Sequence, residues 1–145
     1  MYIAVLTLRK KQLRQAEDLI HLLQRQIRCY AYTVPDILKS AKNPLPLLRY
    51  IPLKEPFDLV SAYATARQKS RWEMFFRPSD WDWCDRLFFG LGTGDTEQQI
   101  KLLTDCESSV KQARQETERD LAKNGKAAWI LGACSGAVLA LMLAQ

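Results

Sequence analysis

The sequence predicts an all-α protein, an antiparallel helical bundle with a long C-terminal helix leading into a C-terminal transmembrane helix. Three observations carry that expectation. Apolar residues recur at spacings of three and four along most of the chain, and nowhere with the period of two that marks a half-buried strand. Pro and Gly gather at a few points and so divide the chain into helix-sized pieces. The stretch Ala127 to Ala144 runs for eighteen residues without a charge, a proline or an amide side chain.

Taken in order, residues 1–8 (MYIAVLTL) form a short apolar N-terminal segment. As a helix it covers only about 12 Å, too little to span a bilayer, so it reads either as an interfacial anchor or as part of a longer first membrane helix. A cytoplasmic helical domain is expected over residues 9–124. Its first helix, Arg9 to Tyr32, shows the seam Leu13, Ala16, Ile20, Leu23, Ile27 and Tyr30. Thr33-Val34-Pro35-Asp36 then has the form of a helix start, with Thr33 as N-cap and Asp36 at the capping-box position, and a short helix runs to about Lys42.

Pro44, Pro46, Pro52 and Pro56 forbid a regular helix in the next stretch, although the leucines among them predict a loop that packs down. Helix is expected again from Phe57 to about Arg77, where Pro78 stops it. A tryptophan-led acidic helix follows from Ser79 to Gly90, and the glycines at 90, 92 and 94 break it. Asp95-Thr96-Glu97-Gln98 starts a long charged helix to about Asn124, with the thin stripe Ile100, Leu103, Cys106, Val110, Ala113, Thr117 and Leu121 suited to pairing with another helix.

The apolar end, 127–144, is about 27 Å long as a helix, enough to cross a hydrocarbon core. Arg119, Lys123 and Lys126 precede it, and Arg9, Lys10, Lys11 and Arg14 follow the apolar start. These are membrane-flanking positions that keep the polar domain cytoplasmic. Gly132 and Gly136 form a G-x-x-x-G pair, a surface that allows close helix packing within a membrane.

Composition agrees with one compact domain: 145 residues, 48% apolar and 26% charged, with a net charge of +5. The charge is unevenly placed. Residues 1–28 hold six basic and two acidic side chains, residues 29–72 seven and three, and residues 73–120 six and eleven. Six of the nine Phe and Trp residues lie in the acidic half, which argues against a nucleic-acid surface. Opposite charge on two faces of one small domain suits assembly of copies into a ring or platform.

Catalytic chemistry finds little support. His21 is the one histidine and has no ligand-like spacing to other candidates. Cys29, Cys84, Cys106 and Cys134 include no C-x-x-C and read as scattered reduced thiols. Gly90 to Gly94 lacks the Lys-Ser/Thr of a phosphate loop and follows a helix, so it reads as a helix-to-helix turn. Asp80, Asp82 and Asp85 suit the positive end of a helix better than a metal. The aromatics Trp72, Phe75, Phe76, Trp81, Trp83, Phe88 and Phe89 build a core, with a share available as a docking surface. No catalytic, metal or cofactor residue is therefore assigned.

The stretch Leu87-Phe88-Phe89-Gly90-Leu91-Gly92-Thr93-Gly94-Asp95-Thr96-Glu97-Gln98-Gln99-Ile100 resembles the L-x-x-L-G-x-S/G-D-x-x-x-Q signature of the stage III sporulation protein AB family. A basic first helix before it, and a long charged helix entering a glycine-containing apolar tail after it, extend the likeness over nearly the whole chain. The resemblance implies a small membrane protein of endospore-forming bacteria, with a cytoplasmic helical domain similar to that of the type II secretion platform protein F. It implies a place in the transenvelope channel joining mother cell and forespore, with a secretion-type ATPase and other channel subunits as partners, and no cofactor. The alternative is an inner-membrane platform protein of a type II secretion or type IV pilus-like system. Matching positions are Gly92, Asp95 and Gln99, with Gly94 beside them. Their expected role is structural: Asp95 caps the long helix, and Gly92 or Gly94 supplies unusual backbone angles.

Overall fold

The computed structural model describes residues 2–29, 34–42, 44–53, 57–92 and 94–144, with the side chains of all of these except 28, 29, 126–135, 138, 139 and 144. Six helices follow in order: α1 (Tyr2–Cys29), α2 (Val34–Ser40), α3 (Pro46–Arg49), α4 (Leu59–Lys69), α5 (Pro78–Gly90) and α6 (Thr96–Ala144). Among the described residues there is no strand.

The spine of the molecule is the antiparallel pair α1 and α6. Each helix lends it one stripe: Leu13, Ala16, Ile20 and Leu23 from α1, and Leu103, Cys106, Val110, Ala113 and Thr117 from α6, all buried. The α6 stripe is made of smaller side chains than the α1 stripe, so leucines fill the space that Cys106, Ala113 and Thr117 leave. Cross-helix contacts mark the antiparallel register: Lys10 and Arg14 form ion pairs with Glu118, Glu17 with Arg114, and His21 hydrogen-bonds Glu107. Helix α5 packs on α6, α4 packs between α3 and α5, and α2 rests on α1.

Several boundaries depart from the sequence expectation. Helix α1 begins at Tyr2 and not at Arg9, so the short apolar start and the polar helix form one rod. Along that start, Leu6 is buried while Tyr2, Ile3, Val5 and Leu8 are exposed. The proline-rich stretch contains the one-turn helix α3, with Pro46 at its first position and Leu45, Leu47 and Ile51 buried beneath it. The expected N-cap Thr33 lies outside the described residues.

Helix α4 ends at Lys69 and does not continue to Arg77. The cause is a side chain of α1. Gln12 Nε2 donates to the Glu73 carbonyl at 2.7 Å, and the Phe75 backbone N–H donates to Gln12 Oε1 at 2.7 Å. Gln12 thus satisfies backbone groups that a longer helix would have paired internally. The turn at 70–73 sends the buried Met74 back into the core, and Arg77 is extended (φ −81°, ψ 164°), as the residue before a proline prefers.

Helix α6 is continuous for 49 residues, so the charged stretch and the apolar end form a single rod about 73 Å long. Among the described residues no helix is long and apolar enough to cross a membrane. Most side chains of 127–144, the stretch read from the sequence as a transmembrane helix, fall outside the described set.

Candidate functional site

The most constrained polar cluster lies where α1, α5 and α6 meet. Arg9 is 2% exposed and Asp80 1%. Arg9 Nε donates to Asp80 Oδ2 and Nη2 to Asp80 Oδ1, both at 2.9 Å, a bidentate pair. The third arm of the guanidinium, Nη1, donates to the Thr117 hydroxyl, which donates in turn to the Ala113 carbonyl at 2.8 Å. Asp80 also accepts the Arg77 backbone N–H at 2.9 Å and so closes the first turn of α5. One carboxylate therefore caps a helix and neutralises a cation held by another helix.

Arg9, one of the membrane-flanking basic residues in the sequence, is thus buried between helices. Its position in the chain is basic and close to the apolar start, but its side chain turns inward because Asp80 offers a complete partner. The other basic residues of that group sit elsewhere. Lys10 and Arg14 share Glu118 at 3.9 and 3.7 Å, and Lys11, Arg119 and Lys123 are exposed. The side chain of Lys126 lies outside the described residues.

Farther along the spine, Glu107 collects three donors. Gln24 Nε2 reaches Oε2 at 2.9 Å, while Lys111 Nζ and His21 Nε2 reach Oε1 at 2.9 and 3.1 Å. These hydrogen bonds, from Gln24 first and then Lys111 and His21, hold its carboxyl down at about 2. His21 therefore links α1 to α6.

The three aspartates of α5 do not converge. Asp80 faces Arg9, Asp82 is exposed, and Asp85 accepts the Tyr63 hydroxyl and lies 3.6 Å from Arg67. Among the described residues no group of His, Cys, Asp and Glu is placed to hold a metal ion. Cys84 and Cys106 are buried free thiols; burial pushes them up to about 12 and about 11. Cys29 and Cys134 fall outside the described side chains.

At the turn into α6, Gly92 and Gly94 have φ of +83° and +78°, angles that cost other residues steric strain. Asp95 Oδ1 accepts the Gln98 backbone N–H at 2.8 Å, and Gln99 Nε2 donates to the Gly94 carbonyl at 3.4 Å. Gly136 faces open space, and Gly132 lies in α6 within 126–135, whose surroundings are not described.

The aromatic residues divide between core and surface. Trp83 and Phe88 are buried, and Phe88 stacks on Tyr63 with ring centroids 4.6 Å apart. Phe76 meets Trp81 and Trp83 edge-on or tilted. Trp72 is 82% exposed and Phe89 48%. Periodicity had no means of revealing the Arg9–Asp80 pair or the Gln12 clamp, because both join residues more than sixty positions apart.

Such an arrangement defines a class: a small all-helical domain on a two-helix spine, with its polar clusters serving as braces between helices. The chain belongs to the stage III sporulation protein AB family, whose family model matches residues 1–144. Family membership gives it a role in sporulation. None of the curated proteins and none of the solved structures compared with it matches.

Proposed function

We propose that the protein is a membrane-anchored scaffold of the sporulation transenvelope channel, coupling a secretion-type ATPase in the mother cell to that channel. The observation that carries this reading is the continuity of α6. A single rod joins the braced polar domain to the apolar stretch 127–144, so a force or tilt applied at one end is delivered at the other without a hinge. The antiparallel register sets Lys10 and Arg14 of α1 against Glu118 of α6, one residue before Arg119 and five before Lys123. This basic band suits the cytoplasmic face of a membrane. Of the two channel types the sequence suggests, the family match favours the sporulation channel over a pilus or type II secretion platform.

Two measurements test the proposal. The full chain should stay with the membrane fraction after alkaline extraction, with residues 9–124 open to protease from the mother-cell side. A pull-down at low salt should retain the cognate sporulation ATPase. Loss of the ATPase at low salt removes the coupling role, and release at alkaline pH removes the anchor.

A further inference from the structure

We propose that the groove between α4 and α5 is a docking site for an acidic segment of a partner protein that carries an apolar anchor. The groove holds about 450 Å³ and is walled by Tyr63, Ala64, Arg67, Arg71, Trp81 and Phe89. Its floor is aromatic and fixed. Tyr63 is wholly buried and stacked on Phe88, while Phe89 meets Tyr63 edge-on at 5.5 Å and remains half exposed. The exposed apolar surface of the groove is thus the Phe89 ring, backed by Tyr63, and rigid aromatic pockets are where interface energy concentrates.

The rim supplies the sign of the partner. Arg67 lies over the Trp81 ring at 4.8 Å and Arg71 over the Trp72 ring at 5.1 Å, so each cation has an aromatic neighbour at the rim. Arg67 is partly compensated by Asp85 at 3.6 Å, whereas among the described residues Arg71 meets no carboxylate within an ion-pair distance. The rim therefore carries a net positive charge beside an apolar floor. That charge is too small for a nucleic-acid backbone, which needs several cations in line, and it suits one or two carboxylates.

Shape points to a polypeptide. Val60 and Ala64 continue the exposed face of α4 from the groove towards its first turn, and Gln68 extends it the other way. From Val60 to Gln68 this strip is about 12 Å long, which matches two turns of a bound helix. The main contacts of α4 are with α3 and α5, so this face lies away from the α1–α6 spine. The proposal does not depend on the ATPase being the partner.

The probe is a labelled fourteen-residue amphipathic peptide with Leu and Phe at i and i+4 and Glu at the flanking positions. It is titrated against the full chain in detergent micelles at low salt, by fluorescence anisotropy. The same peptide with Lys in place of Glu is the control. Saturable binding of the acidic peptide, weakened about tenfold or more by Arg71→Glu and by Ala64→Trp, is the expected result. Both positions are exposed, so the thermal midpoints of the variants should match the parent. Each of these results overturns the proposal: equal binding of the Lys peptide, unchanged affinity in both variants, or no saturation by about 1 mM. Displacement by an equal concentration of ATP or a single-stranded oligonucleotide would overturn it in favour of a small-anion or nucleic-acid site.

Discussion

Replacing Asp80 by leucine should be among the most damaging single changes available to this domain. Asp80 is 1% exposed, accepts two 2.9 Å bonds from Arg9 and takes the Arg77 backbone N–H besides. Its loss leaves a guanidinium buried without a counter-ion. Breaking a buried pair from one side costs about 3–5 kcal/mol. At roughly 2–4 °C per kcal/mol for a domain of this size, the midpoint should fall by about 6–20 °C. Arg9→Met should cost a similar amount, since it strands the carboxylate. The double variant Arg9→Met with Asp80→Leu removes both charges and should recover more than half of that loss. The remaining deficit, about 1–2 kcal/mol, comes from the orphaned Arg77 N–H and from the Thr117 oxygen, which keeps its bond to the Ala113 carbonyl but loses the Arg9 donor. Thermal unfolding of the four proteins, followed by circular dichroism at neutral pH, measures the coupling. If the double variant loses the sum of the two single losses, Arg9 and Asp80 are not coupled and the brace described above does not exist.

Other outcomes follow from the same contacts. Glu107→Gln should lower the midpoint at neutral pH. Because the folded carboxyl is held at about 2 against an ordinary value of 4.5, its contribution is complete above about pH 4.5 and lost as the pH falls towards 2. The gap between parent and variant should therefore narrow on acidification, and a gap independent of pH counts against the cluster with Gln24, Lys111 and His21. Gly92→Ala, at φ +83°, should cost about 1–2 kcal/mol. Gly125→Ala lies within α6 with open space around it and should stabilise by about 0.5–1 kcal/mol, so parallel melts should move in opposite directions. With Cys29 and Cys134 changed to serine, Cys84 and Cys106 should resist maleimide in the folded protein and react in denaturant.

How far the sequence could be read depended on how local the deciding interaction was. The stripes of α1 and α6 were legible because each is a pattern within one helix, whereas Pro78, which the sequence offers as the stop of the preceding helix, is the first residue of α5. Helix α4 was drawn too long because nothing near Ser70 announces that Gln12, some sixty positions earlier, will take over the backbone groups of Glu73 and Phe75. Arg9 groups with the membrane-flanking cations in the sequence for a parallel reason. A basic residue beside an apolar segment resembles its neighbours Lys10 and Lys11, and only the fold reveals that Asp80 faces it. The groove between α4 and α5 was half visible, as an aromatic cluster with a share left for docking. Which rings face outward depends on where α4 stops.

The unbroken passage of α6 through Asn124, Gly125 and Lys126 also fixes an angular phase. Each residue of a helix advances its face by about 100°, so a single residue inserted at this junction would turn the whole polar domain by that angle about the rod while moving it only about 1.5 Å along it. Seven inserted residues would return the face to within about 20° of its starting bearing. Neighbours in an assembly that meet the domain at a set azimuth would thus tolerate the seven-residue insertion and reject the single one, although the single one changes the length far less.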